Sequence, residues 1–113
     1  MHEYSIVQSL LNNCEENAGQ NGSTKVTKVV VKIGVLSGVE PDLLQIAFDT
    51  FKENTICHDA LFVINIQKVV IKCKTCGSTS TLEKHHYCCP LCESIDIDIL
   101  DGEDMYLMQL ELQ

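Results

Sequence analysis

No arginine and no tryptophan occur among the 113 residues, and aromatic side chains make up only 5% of them. All eight basic residues are lysines against sixteen acids, for a formal net charge of −8. Without guanidinium forks, which grip phosphate and guanine bidentately, and with that charge, nucleic acid is excluded as a natural partner. No apolar run approaches the ~20 residues needed to cross a bilayer. No basic leader with a continuous apolar segment precedes the first amphipathic stretch, so we expect a cytoplasmic protein with no membrane partner. Phosphate-cradling loops, the His-Glu-x-x-His signature and the Gly-x-Ser-x-Gly elbow are all missing, which argues against an enzyme.

Seven cysteines are present instead, five of them between Cys73 and Cys92. In a reducing compartment such clustering points to a metal and not to a disulfide framework. Cys14 and Cys57 stand outside the cluster.

From Ser5 to Ala18, Ile6, Val7, Leu10, Leu11, Cys14 and Ala18 recur at helical spacing, and the Gly19 to Ser23 cluster ends the pattern in a turn. Lys25 to Ile33 is rich in β-branched residues and reads as a strand. Pro41 and Asp42 open a second helix, with Leu43, Leu44, Ala47, Phe48 and Phe51 on its apolar face, ending near Asn54. Alternation over Ala60 to Lys72 and over Met105 to Leu112 predicts two further strands. The expectation is an α+β fold: two helices on a three-stranded sheet, with a four-cysteine zinc-ribbon knuckle inserted before the last strand. The body would comprise 1–72 plus 105–113, and a zinc-binding domain 73–104. Asp96, Asp98, Asp101, Glu103 and Asp104 lack EF-hand spacing and read as a solvated acidic linker.

Cys73-x-x-Cys76 and Cys89-x-x-Cys92 form a paired-knuckle spacing that lets two tight turns present four thiolates tetrahedrally. Gly77 after the first pair and Pro90 inside the second suit such turns. A closed shell of four sulfurs predicts a structural zinc with no catalytic role. Cys88 could compete as a ligand and His85 and His86 could exchange for a thiolate, although the histidine pair also reads as a solvated loop. Redox chemistry is the other use of a Cys-x-x-Cys, but two pairs at metal spacing fit it poorly.

The opening Met1-His2-Glu3 supports a second metal. A terminal amine with the amide and imidazole nitrogens of His2 closes adjacent chelate rings around one ion, and the Glu3 amide supplies a fourth position. The first N–H groups of a helix have no intrahelical acceptor and can be given up. Four nitrogens in a plane suit Ni(II) or Cu(II). By residue type alone, His2 would be an ordinary surface residue.

The opening tripeptide, the helix-strand-helix-strand order and the late Cys73-x-x-Cys76…Cys89-Pro90-Leu91-Cys92 together resemble the HypA/HybF family of hydrogenase nickel-insertion metallochaperones over essentially the whole chain. The resemblance implies nickel held by His2, with Met1 and Glu3 adjoining and Glu3 aiding partner recognition, and zinc on Cys73, Cys76, Cys89 and Cys92. It implies delivery to the large subunit of a [NiFe] hydrogenase, with a nickel-handling GTPase as partner. Urease maturation is also served in some relatives, and the chain would act as a monomer or homodimer. The competing reading is a zinc-ribbon protein-interaction adaptor without nickel transfer, which would make no use of His2.

Overall fold

A computed structural model describes residues 2–83 and 87–113, with His2 described by its main chain alone. The order is α1 (His2–Gln20), β1 (Val26–Gly34), α2 (Pro41–Phe51), β2 (Leu61–Gln67), β3 (Val69–Cys73), β4 (Thr79–Leu82), β5 (Ile97–Asp101) and β6 (Met105–Leu112). Two three-stranded sheets result, ordered β2-β1-β6 and β4-β3-β5. The α+β class is therefore as expected, while β4 and β5 are additions.

By compactness the chain divides into one unit of Met1–Lys32, Val39–Asn65 and Tyr106–Gln113, and another of Ile33–Gly38 and Ile66–Met105. In the first, α1 buries Val7, Leu10, Leu11, Cys14 and Ala18 of the stripe that its periodicity marks and half-buries Ile6. Its end is stopped by hydrogen bonds from Ser23 N–H to the Ala18 carbonyl (2.8 Å) and from Gly22 N–H to the Gly19 carbonyl (3.3 Å). Gly22 takes φ 67°, where a Cβ is unwelcome, so the Asn-Gly-Ser turn is a Schellman cap. Pro41 occupies the first turn of α2 without loss, because that N–H has no partner in a helix. Leu44 and Phe48 are its buried residues. The Phe48 ring stacks on Phe62 of β2, centroids 4.2 Å apart and planes 5° from parallel. Helix α2 stops at Phe51, short of Asn54, which adopts φ 64° in the turns that follow.

The predicted strand over Ala60 to Lys72 is in fact two, separated at Lys68 and belonging to different sheets. Alternation continues through such a crossing because it reports pleat, not pairing partner. In the second unit β3 pairs antiparallel with β4, Val69 opposite Leu82, and with β5, Cys73 opposite Ile97. Val69, Ile71 and Leu82 form its small core, with Ile97 packed against it. The stretch read as an acidic linker thus contains β5. Asp96 and Asp98 stay in solvent, pairing with Lys74 at 3.8 and 3.4 Å, while Asp101 is half-buried and accepts the Gly102 N–H, and Ile97 faces the core. Among the described residues no helix is long and apolar enough to cross a membrane.

Candidate metal centre

Strand β3 ends at Cys73, and the chain turns back at once to begin β4 at Thr79. That reversal is the first knuckle. Cys73 N–H donates to the Ser78 carbonyl and Gly77 N–H to the Cys73 carbonyl, each at 2.9 Å. The second repeats the pattern: Cys89 N–H donates to the Ser94 carbonyl and Glu93 N–H to the Cys89 carbonyl, each at 2.8 Å. Both turns require a left-handed residue, Gly77 at φ 75° and Glu93 at φ 64°.

The two turns bring the Sγ atoms of Cys73, Cys76, Cys89 and Cys92 within 4.8 Å of one another. Cys73 lies 3.5 Å from Cys92, and Cys76 lies 3.7 Å from Cys89. Four sulfurs at ~2.3 Å from a tetrahedral zinc are ~3.8 Å apart, so the cluster fits that ion. Cys73 and Cys89 are buried, Cys76 and Cys92 exposed. Backbone amides already point at sulfur, Cys76 N–H at Cys73 and Leu91 N–H at Cys89, both at 3.4 Å.

Those amides favour thiolate. The Cys89 thiol is lowered to about 6, first by the Cys92 amide and then by that of Leu91 and the Ser78 hydroxyl, against burial. Cys73 is lowered by the Cys76 and Thr75 amides. Cys92 is drawn down by the Ser94 amide, but the Cys73 sulfur, burial and the Cys89 and Cys76 sulfurs outweigh it and push it to about 12. The set therefore accommodates negative charge on some sulfurs while holding a proton among the others, as four crowded thiols must before a dication arrives.

Cys88 is half-buried and outside the four-sulfur group. His85 and His86 lie outside the described residues, as does Met1. Cys14 and Cys57 are both fully buried and share a thiol hydrogen bond, which raises the Cys14 thiol and lowers that of Cys57.

At the amino terminus, α1 starts at His2, so the Glu3 N–H belongs to the first turn. The Glu3 side chain is buried, and its Oε2 accepts the Glu40 N–H at 3.1 Å. Beside it the Tyr4 ring packs on Phe51 with centroids 4.3 Å apart. Glu3 and Tyr4, with Leu43, Ile46, Ala47, Thr50 and Phe51 of α2, line a groove of about 310 Å³. This groove escaped the sequence reading because its lining comes from two helices that are distant along the chain.

A family model described as "Hydrogenase/urease nickel incorporation, metallochaperone, hypA" matches residues 1–112. The chain belongs to the HypA family. The hydrogenase maturation factor HypA of Shewanella baltica (strain OS185) is 53% identical, covering all of this chain and 97% of its own length. HypA of Aquifex aeolicus (strain VF5) is 52% identical, with 100% and 98% covered. Among solved structures, the nickel metallochaperone HypA from Helicobacter pylori is 38% identical, with a TM-score of 0.70, covering 97% of this chain and 96% of its own.

Proposed function

We propose that this HypA family member is a carrier that binds Ni(II) at its amino terminus and delivers it during maturation of [NiFe] hydrogenase, with urease as a second recipient. The Met1 amine, the amide and imidazole of His2 and the Glu3 amide supply the planar donor set. Cys73, Cys76, Cys89 and Cys92 hold a structural zinc, which when bound crosslinks the two knuckles. The protein works in the cytoplasm with a nickel-handling GTPase and the hydrogenase large subunit.

The observation that carries this reading is the position of the helix start. Because α1 begins at His2, the Glu3 N–H lies in the first turn, outside the i to i−4 ladder, so a metal can engage it without breaking the helix. The zinc-type cluster is closed by four sulfurs and offers a cargo ion no vacant position.

The test is His2→Ala. Nickel binding and hydrogenase activity in cells relying on the variant should be lost, while zinc content is unchanged and stability shifts by less than ~0.5 kcal/mol, as for a surface position. If the variant binds nickel and supports hydrogenase like wild type, the zinc-ribbon adaptor reading replaces this one.

A further inference from the structure

We infer that the Glu3 carboxylate is a positioning residue for the nickel terminus: by accepting the Glu40 N–H it fastens the ligand-bearing first turn of α1 to the start of α2. This rests on the nickel reading above.

Among the described residues, Glu3 is the charged side chain that is buried. A carboxylate out of water must be hydrogen-bonded to be tolerated, and Oε2 is satisfied by Glu40 N–H at 3.1 Å. The donor is unusual. Glu40 is the N-cap of α2, extended at φ −87° and ψ 114°, and no side chain of its own caps the helix. In a capping box the N-cap N–H is taken by a Glu or Gln three residues on. That place is held by Leu43, which has no acceptor. Glu3 supplies it from a different helix, and the partial positive charge at the α2 amino terminus adds to the attraction.

The next residue is held too, since the Tyr4 ring lies on Phe51 of the same helix. Residues 3 and 4 are thus both tied down where chain ends ordinarily fray. Every nickel ligand in the proposed set lies on residues 1 to 3. Fixing residue 3 removes part of the conformational freedom that chelation would otherwise have to quench. It also assigns the two faces of Glu3 different work, the carboxylate to α2 and the main-chain nitrogen to the metal.

The experiment is titration with Ni(II) ion alone, on full-length protein with an unextended amino terminus, at a temperature where circular dichroism shows each variant folded. Glu3→Ala should weaken nickel about fivefold or more, the weight of one hydrogen bond. Glu3→Gln, whose amide oxygen still accepts, should stay near wild type. Glu40→Pro, whose φ suits the extended N-cap and which lacks only the N–H in the backbone, should bind more weakly than Glu40→Ala by a similar factor. Zinc should remain at wild-type content in all four. The positioning role is overturned if Glu3→Ala binds nickel like wild type whatever its melting temperature, if Glu3→Gln is as weak as Glu3→Ala, or if the two residue-40 variants bind alike. Failure of the nickel reading itself looks different: wild type does not bind, or His2→Ala in the same titration binds as well as wild type.

Discussion

Gly77 and Glu93 close the two cysteine knuckles in the same left-handed conformation, φ 75° and 64°, each donating its N–H to the carbonyl of the first cysteine of its pair. Glycine adopts this region freely, whereas a residue with a Cβ pays roughly 1–2 kcal/mol. Glu93→Gly should therefore stabilise the zinc-loaded protein by up to about 1 kcal/mol, less whatever glycine adds to unfolded-state entropy. Gly77→Ala should cost about 1 kcal/mol by strain alone, because open space surrounds its missing Cβ. Thermal melting of both variants checks the pair, and equal effects would contradict it.

Gly34 is required for a different reason. A Cβ there would collide with the Gly102 backbone and approach Glu103 N to 2.9 Å. The approach is fixed by bonds from Gly34 N–H to the Asp104 carbonyl and from Leu36 N–H to the Gly102 carbonyl, at 2.9 and 2.8 Å. Gly34→Ala should destabilise by about 3 kcal/mol, at the upper end for overpacking, as read by urea denaturation.

Zinc removal should disorder the knuckles and spare the helical unit. The core beneath them is Val69, Ile71 and Leu82 with Ile97, too few side chains to replace a metal contributing about 10 kcal/mol or more. Chelation, or Cys92→Ser, is expected to collapse the amide resonances of 73–101 while those of α1 and α2 persist. Zinc content of wild type should be one per chain.

Zinc uptake at neutral pH should release fewer than four protons. Cys89, lowered to about 6, is already a thiolate at pH 7, whereas Cys92, pushed up to about 12, must surrender its proton to the metal. Because metal binds thiolate, zinc affinity rises with pH, and the slope steepens below about 6, where Cys89 too must be deprotonated. Titration calorimetry in buffers of different ionisation enthalpy counts the protons, and a count of four at pH 7 would remove Cys89 from its assigned state.

Adding one residue before Met1 should impair nickel binding without touching zinc, since it carries the terminal amine away from the His2 chelate. Nickel binding should also weaken as pH falls through about 6.5, where an unperturbed imidazole protonates. An extended chain with wild-type affinity would show that the amine is not a ligand.

The sequence by itself determined what depends on neighbours along the chain. The stripe of Val7, Leu10, Leu11, Cys14 and Ala18 set the buried face of α1, and Asn21-Gly22-Ser23 set its stop. The spacing of Cys73, Cys76, Cys89 and Cys92 placed each pair in one tight turn, because two ligands that close together are positioned by local dihedrals. Tertiary structure decided the rest. The break at Lys68 between β2 and β3 is a change of hydrogen-bonding partner, to which alternating side chains are blind. Strands β4 and β5 exist because β3 lies between them to pair with; Thr79–Leu82 is too short and polar to declare itself alone, and the Ile97-Asp98-Ile99 alternation of β5 is masked by the run of acids around it. The capping of α2 by Glu3 joins residues 3 and 40, and nothing in either local sequence announces it, since hydrogen bonds between distant residues are set by how helices pack and not by the order in which they are written.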